Sequence, residues 1–154
     1  MQQFELYAKY PQPLISLLRL KEPDKWDQDW EWCVSDENRI AEFIDFYKAM
    51  PLNDKDKMSL MMIIIDSFNH KTWDNGFDSG TWETISNLIK DDLLFFKEQV
   101  IYWSSVDYGA GQMDDAWAIA WNMRMLLRML HESDSLTEDD IEGWCDDVRK
   151  EILS

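Results

Sequence analysis

The sequence predicts an all-α protein with a single domain, a helical bundle of about five to seven helices with an irregular N-terminal segment. Apolar residues recur at helical spacing in several separate segments, and no low-complexity tract or Pro/Gly/Ser linker divides the chain. Its 45% hydrophobic and 14% aromatic residues suffice for a core without metals or disulfides. We therefore expect residues 1–154 to form one helical domain.

The N-terminal part of the sequence has the least regular pattern. The apolar residues of the segment 14–20 follow Pro13, which predicts a short helix because proline is favoured at the first helical position. Residues 24–34 fit two periods, that of a helix through Trp26, Trp30 and Cys33 and that of a strand that alternates from Trp30. Both readings stay open for this segment.

Two consecutive helices are predicted in the middle of the sequence. Apolar residues at i, i+3, i+4 and i+7 run from Ile40 to Tyr47, and Pro51 follows them. Asn53 is placed to cap a second helix that extends to Phe68. Apolar residues surround most of that helix, which should therefore be the most buried one of the bundle.

The helices that follow are separated by predicted loops. Residues 69–80 contain an Asn-Gly and a Ser-Gly dipeptide, which are typical of turns and predict a loop. Helical patterns then cover residues 81–89 and 93–103, as one bent helix or as two. A second loop with two glycines is predicted at residues 104–112.

The C-terminal segments have clear helical signals. A long helix is predicted from about residue 113 to residue 131, with the Asp114-Asp115 pair near its N-terminus. Thr137 and Asp140, three positions apart, approximate a capping box for a final helix. The apolar stripe of that helix continues to Ile152.

The charge of the chain restricts its partners. The sequence has 31 acidic and 15 basic residues, a formal net charge of -16 at pH 7. Nucleic acids and anionic membranes are excluded as expected partners, because both are bound through clustered Lys and Arg. A field of this sign instead attracts a basic protein and accelerates its association. A solubilising role of the charge is the simpler alternative.

Motifs of catalysis and metal binding are lacking in the sequence. It contains no G-x-S-x-G, Walker A, G-x-G-x-x-G or C-x-x-C motif, and only two histidines, His70 and His131. Cys33 and Cys145 lie far apart and match no metal-ligand spacing. We therefore predict no catalytic residue, no metal ligand and no cofactor, and we do not expect an enzyme.

The start of the sequence and its apolar segments predict a cytoplasmic location. The chain opens without a basic, then apolar, signal segment. Its longest nearly apolar stretch, residues 58–65, is far shorter than the roughly 20 residues that span a bilayer.

Acidic residues mixed with aromatic ones are the candidate binding groups, because interfaces use aromatic side chains ringed by charge as hot spots. One such cluster precedes residue 32, a second lies in the predicted loop 69–80, and a third follows Tyr102 and Trp103. The predicted partner-binding residues are Asp24, Trp26, Asp27, Asp29, Trp30, Glu31, Trp73, Asp74, Asp78, Asp107 and Tyr108. For each Trp, a place in the core is the competing interpretation.

Two segments carry a family resemblance. Residues 57–68 (KMSLMMIIIDSF) and 96–103 (FKEQVIYW), within an acidic and Trp-rich helical chain, resemble small immunity proteins of bacterial polymorphic toxin systems. The resemblance covers about half of the chain. It implies a cytoplasmic protein that binds one cognate toxin domain and blocks or distorts its active site.

The leading hypothesis is therefore an immunity-type inhibitor that binds a cognate toxin or another basic protein, with a basic nuclease as the favoured target. A nucleic-acid mimic that blocks a DNA-binding protein is the second hypothesis and requires a row of exposed carboxylates. An enzyme would require a deep pocket with gathered Asp, Glu and His131. A structural or adaptor protein would expose an apolar stripe, for which residues 58–65 are the candidate.

Overall fold

The computed structural model describes residues 12–23 and 30–154, and all regular secondary structure in these ranges is helical. In chain order the elements are α1 (Gln12–Leu18), α2 (Trp30–Cys33), α3 (Ile40–Ala49), α4 (Asp54–Asn75), α5 (Ser79–Lys90), α6 (Lys97–Trp103), a 3₁₀ helix (Ala110–Asp115), α7 (Ala120–Glu132), α8 (Glu138–Ile141) and α9 (Asp146–Leu153). The prediction of an all-α fold is confirmed. The predicted five to seven helices were too few, because several helices are single turns or are divided by breaks that the apolar pattern did not reveal.

The chain forms two compact units, one that ends at Lys71 and one from Thr72 to Ser154. The expectation of one domain over residues 1–154 stays a prediction. Over the described ranges, no helix has both the length and the apolar character that a bilayer span requires.

The core of the first unit is built around α4. Leu60, Met61 and residues 63–65 are fully buried, as the apolar pattern of this helix predicts. Residues 30–33, within the segment of ambiguous period, are helical, whereas residues 24–29 lie outside the described residues. Trp30 is fully buried, and its indole N–H donates to the backbone oxygen of Lys21 at 2.8 Å.

Polar side chains fix the ends of helices in this unit. Asn53 caps α4 as predicted, since its side-chain oxygen accepts the backbone N–H of Asp56 at 2.8 Å. Burial raises the pKa of the Asp56 carboxyl. Arg39 donates to the backbone oxygen of Leu18 at 2.6 Å and to Glu42 at 2.7 Å. The hydrogen bond with Glu42 raises the pKa of Arg39.

The predicted loop at residues 69–80 is mostly helix. Helix α4 continues to Asn75, because residues 69–75 contain neither glycine nor proline to stop it. Gly76 ends the helix with φ +88°, and its N–H donates to the oxygen of Thr72 at 2.9 Å. Asp78 then caps α5, which leaves residues 76–78 as the connection.

Helices α5 and α6 are separate, which decides between one bent helix and two. Residues 91–96 form turns between them. Helix α7 packs against α6 and α9. Trp103 of α6, Leu127 of α7 and Val148 of α9 are almost completely buried in the core of this unit.

The predicted long helix at residues 113–131 begins only at Ala120. Residues 110–115 form the 3₁₀ helix, and extended backbone at Ala116 follows it. The N–H of Trp117 donates to the Ser105 side chain at 3.1 Å instead of to a helical carbonyl. The Asp114-Asp115 pair therefore ends the 3₁₀ helix and does not begin α7.

The predicted final helix is divided in two. The capping box is confirmed, since Thr137 and Asp140 exchange backbone-to-side-chain hydrogen bonds of 2.8 and 3.2 Å. Helix α8 nevertheless ends after one turn. The N–H of Cys145 donates to the oxygen of Val106 at 2.9 Å, and this bond to a distant segment holds the chain extended before α9.

Candidate functional site

The second unit contains a cavity of about 470 Å³ beside α6. Residues of α6, of the segment 104–108 that follows it, and of positions 115 and 117 line this cavity. We call it the acidic pocket. Its lining residues are Glu98, Ile101, Tyr102, Ser105, Val106, Asp107, Tyr108, Asp115 and Trp117.

Among the described residues, three carboxylates and no basic side chain line the acidic pocket. The side chains of Glu98, Asp107 and Asp115 are exposed, and within the described part of the chain they make no hydrogen bond or ion pair. Among the described lining residues, no cation offsets their negative charge. The pocket is a site of negative potential that favours a positively charged ligand.

Aromatic rings form another part of the lining. Tyr102 and Trp117 lie with ring centroids 5.7 Å apart and planes tilted by 37°. The fully buried Trp103 supports both rings, at 5.3 Å from Tyr102 and 4.9 Å from Trp117. Tyr108 adds a third, partly exposed ring to the pocket. A rigid aromatic surface beside carboxylates suits a cation, because ring faces attract positive charge.

A buried arginine holds the segment 104–108 in place. Arg124 of α7 is only 3% exposed, and it donates to the backbone oxygens of Ser104, Ser105 and Tyr108 at 2.8 to 2.9 Å. Its remaining nitrogen lies 3.3 Å from a carboxylate oxygen of Glu151 in α9. The guanidinium thereby connects three backbone carbonyls of one pocket wall to α7, which carries Arg124, and to α9, which carries Glu151.

Further bonds secure the same wall. The N–H of Cys145 donates to Val106, and the N–H of Ala110 donates to the Asp147 carboxylate at 3.2 Å. A Cβ at Gly109 would lie 2.4 Å from an oxygen of Asp147, so a side chain there would displace that carboxylate. The pocket is therefore preformed by contacts that do not use its own carboxylates.

The structure brings two predicted binding residues, Asp107 and Tyr108, into the acidic pocket. Sequence reasoning missed Glu98, Asp115 and Trp117. Glu98 lies one helical turn before Tyr102, so its helical spacing from that aromatic residue was a usable signal. The other two gave no signal, since both fall within the segment predicted as one long helix.

A second predicted group, Trp73, Asp74 and Asp78, lies at the junction of α4 and α5. The side chain of Trp73 is 69% exposed and Asp74 is also exposed. The Asp78 carboxylate caps α5, since it accepts the N–H groups of Gly80 and Thr81 at 3.1 and 3.3 Å. Trp73 and Asp74 are thus surface groups, whereas Asp78 has a structural role.

The third predicted group precedes residue 32. Asp24, Trp26, Asp27 and Asp29 lie outside the described residues. Trp30 belongs to the core, as described above. The Glu31 side chain accepts a hydrogen bond from Ser59 at 3.4 Å.

An enzyme that uses a metal requires clustered ligands, and an adaptor requires an exposed apolar stripe. Within the described ranges, no three His, Cys, Asp or Glu side chains are arranged to hold a metal ion. Residues 58–65, the apolar stripe expected for an adaptor, lie mainly in the core. Within this range only Met58 and Met62 are partly accessible, as is the neighbouring Lys57. What the acidic pocket offers chemically is acceptor oxygens and ring faces for a bound cation.

No protein-family model matches the chain, and no curated protein or solved structure is significantly similar to it.

Proposed function

We propose that this protein is an immunity-type inhibitor that binds a cognate toxin or effector domain through the acidic pocket and neutralises it by stoichiometric binding. One observation carries the proposal. Glu98, Asp107 and Asp115 lie beside three aromatic rings without a charge partner of their own in the described chain, on a wall that Arg124 holds in place. Lys or Arg side chains of a basic partner supply the missing counter-charges.

The lack of internal partners at this site supports a binding role. Among the described residues, no cation that lines the pocket pairs with its three carboxylates. Arg124, which is buried behind the pocket wall, is committed to backbone carbonyls and to Glu151. A cationic partner therefore meets carboxylates that are not already paired within the described chain.

The overall charge and the aromatic rings fit the same function. A net charge of -16 steers a basic protein toward the chain and raises its association rate. Once the partner is bound, rigid aromatic side chains supply contact area at low entropic cost. A nuclease is the favoured target, because nucleases present Lys and Arg to phosphate groups.

The test compares two triple variants of equal charge change. In the pocket variant, Glu98→Gln, Asp107→Asn and Asp115→Asn remove three carboxylates. In the control variant, Glu83→Gln, Asp91→Asn and Glu132→Gln remove three exposed carboxylates that do not line the pocket and make no side-chain bond in the described chain.

Each tagged protein is incubated with native host lysate at low and moderate salt, and retained proteins are identified and assayed for toxicity. We expect the wild type and the control variant to retain one basic protein and suppress its toxicity. The pocket variant should lose both properties. Equal retention by all three proteins would contradict a role for the acidic pocket, and absence of any retained toxic protein would contradict the inhibitor proposal.

A further inference from the structure

We propose that the exposed side of α7 pairs two copies of this protein into a symmetric dimer. This side consists of Trp121, Met125 and Met129, which follow one another at i, i+4 and i+8, and of the exposed Arg128 beside them. We call it the α7 face. The described residues that line the acidic pocket do not include these four, and the proposal does not depend on the function proposed above.

The apolar side chains of the α7 face are open to solvent. Trp121 is 52% exposed, Met125 64% and Met129 37%, whereas the other apolar residues of the helix are at most 1% exposed. The guanidinium carbon of Arg124 lies 5.2 Å from the ring centre of Trp121, so the exposed indole rests against its own helix. Helix α7 therefore has a second apolar stripe that the core does not use, and contiguous stripes of this kind mark interaction surfaces.

The charge distribution indicates what can cover the α7 face. The second unit, Thr72–Ser154, contains 18 acidic and 6 basic residues. Residues 116–131 nevertheless contain no Asp or Glu, and they form the longest such stretch of this unit. The same stretch contains Arg124, which is buried, and Arg128, which is exposed. The α7 face is thus an apolar surface with an exposed cation in an otherwise acidic unit.

This charge pattern fits a second copy of the chain better than other partners. A basic protein gains nothing from a face that presents Arg128 and, up to residue 131, no carboxylate. Nucleic acids and anionic membranes are repelled by the net charge of -16. Two copies also repel each other through their acidic surfaces, so they can associate only where carboxylates are sparse. The α7 face meets this condition in both copies at once.

Helical geometry makes the α7 face complementary to itself. In a symmetric dimer the same patch of both copies forms the contact, and a twofold axis beside Met125 makes the two α7 helices antiparallel. Met125 then packs against Met125 of the second copy. Trp121 and Met129 lie four residues to either side of the axis, so each indole lies level with the Met129 thioether of the second copy, a favourable sulfur–aromatic contact.

Arg128 supplies the charged part of this complementarity. It lies seven residues after Trp121 and therefore on the same edge of the helix. The twofold axis keeps this edge on one side of the dimer, which places Arg128 at nearly the level of Trp121 of the second copy. A guanidinium against an indole is a favourable cation–π pair. Arg128 donates to the backbone oxygen of Glu151 at 3.2 Å, which fixes its position at this edge.

The size of the α7 face sets the strength of the dimer. Helix α7 has 13 residues and is about 20 Å long, so the interface is at the small end of the range for specific complexes. We therefore expect a dissociation constant in the micromolar range. Salt screens the repulsion between two acidic copies, so the dimer should tighten as salt rises. Binding of a basic partner should weaken with salt instead, which separates the two interactions.

Sedimentation equilibrium of the full-length protein, at several concentrations and at low and high salt, tests the proposal. A reductant keeps the exposed Cys33 thiol from cross-linking the copies. Met125→Glu places two carboxylates at the twofold axis. Leu94→Glu is the matched control, because Leu94 is also 64% exposed and lies outside α7. Since both positions are exposed, both variants should keep the circular dichroism spectrum of the wild type.

A second measurement needs no substitution. The wild-type protein, labelled with ¹⁵N, is diluted while the indole N–H signal of Trp121 is followed by NMR. If two copies meet through the α7 face, this signal should shift with concentration. A Trp121 signal that stays constant while the protein dissociates would place the dimer contact on another surface and overturn the proposal.

We expect the wild type and Leu94→Glu to dimerise with rising concentration and more tightly at high salt. Met125→Glu should raise the dissociation constant at least about tenfold, because it buries like charges against each other. A protein that stays monomeric at every concentration and salt would overturn the proposal. A dimer that Met125→Glu leaves unchanged, or that Leu94→Glu weakens equally, would overturn it as well.

Discussion

Two sets of carboxylates in the second unit differ in what they bind. Three carboxylates of the C-terminal helices have an internal partner: Asp140 binds Lys97 at 2.9 Å, Asp147 accepts the N–H of Ala110, and Glu151 lies beside Arg124. Those of the acidic pocket, Glu98, Asp107 and Asp115, have no such partner in the described chain. The first set stabilises the fold, whereas the second set remains available to another molecule. Substitutions in the two sets should consequently have different effects on stability.

The largest effect is expected at Arg124, which joins Glu151 to the backbone of the pocket wall. Arg124→Met should lower the free energy of unfolding by about 3–5 kcal/mol, because it leaves three backbone carbonyls, two of them in buried residues, and the Glu151 carboxylate without their donor. Urea denaturation measures this loss. Arg124→Lys retains the charge but not the planar fork, and it should give an intermediate loss. A loss below about 1 kcal/mol for Arg124→Met would show that other contacts hold the pocket wall.

A smaller effect is expected at Gly109. Gly109→Ala places a Cβ against Asp147 and should displace that carboxylate from the Ala110 N–H, at a cost of about 1–2 kcal/mol. The same substitution in an Asp147→Ala background should cost much less, because the clashing group is absent. A double-mutant cycle from urea denaturation measures the coupling. Additive effects would indicate that steric contact with Asp147 is not the cause.

Asp140 should show a pH-dependent effect of about 1 kcal/mol at neutral pH. Burial alone would raise the pKa of Asp140, but the hydrogen bonds from Thr137 and Lys97 outweigh it and lower the pKa. Because the pKa is lower in the folded state, the ionised carboxylate stabilises the protein at pH values above the usual carboxyl range. This stabilisation is lost as the pH falls through the folded-state pKa. The unfolding curves of wild type and Asp140→Asn should therefore differ at pH 7 and converge in acid. A difference that does not change with pH would contradict an ionic contribution.

The smallest effect on stability is expected for the pocket variant. Removing Glu98, Asp107 and Asp115 charges breaks no bond in the described chain, so the free energy of unfolding should change by less than about 0.5 kcal/mol. Any change should be a stabilisation that is larger at low salt, because repulsion is relieved and salt screens it. Thermal unfolding at two salt concentrations measures this effect. A clear destabilisation would show that these carboxylates stabilise the fold after all.

The sequence predicted the helical class and the helix ends that depend on local chemistry. Asn53 and the pair of Thr137 and Asp140 act through neighbouring backbone groups, so their spacing alone identified them. The end of α4 was predicted too early. The Asn75-Gly76 dipeptide marks the true end of the helix, whereas the predicted loop began at residue 69. The starts of α7 and α9 depend on hydrogen bonds to segments far away in sequence, which periodicity does not encode.

The candidate site was predictable to a similar degree. Asp107 and Tyr108 stood out because acidic and aromatic residues adjoin there in sequence. Asp115 and Trp117 join them only because Ser105 binds the Trp117 N–H, which turns the chain toward the segment 104–108. A contact of this kind is a property of the folded unit and has no counterpart in residue spacing.

The way Arg124 holds the segment 104–108 also bears on protein synthesis. The ribosome makes this segment before Arg124, which is 20 residues beyond Ser104, and before Glu151, which is a further 27 residues away. A nascent chain therefore cannot form the complete pocket wall until α9 has been made and has folded. Amide hydrogen exchange in the segment 104–108 should accordingly follow that of α9, so that the pocket wall becomes ordered together with α9.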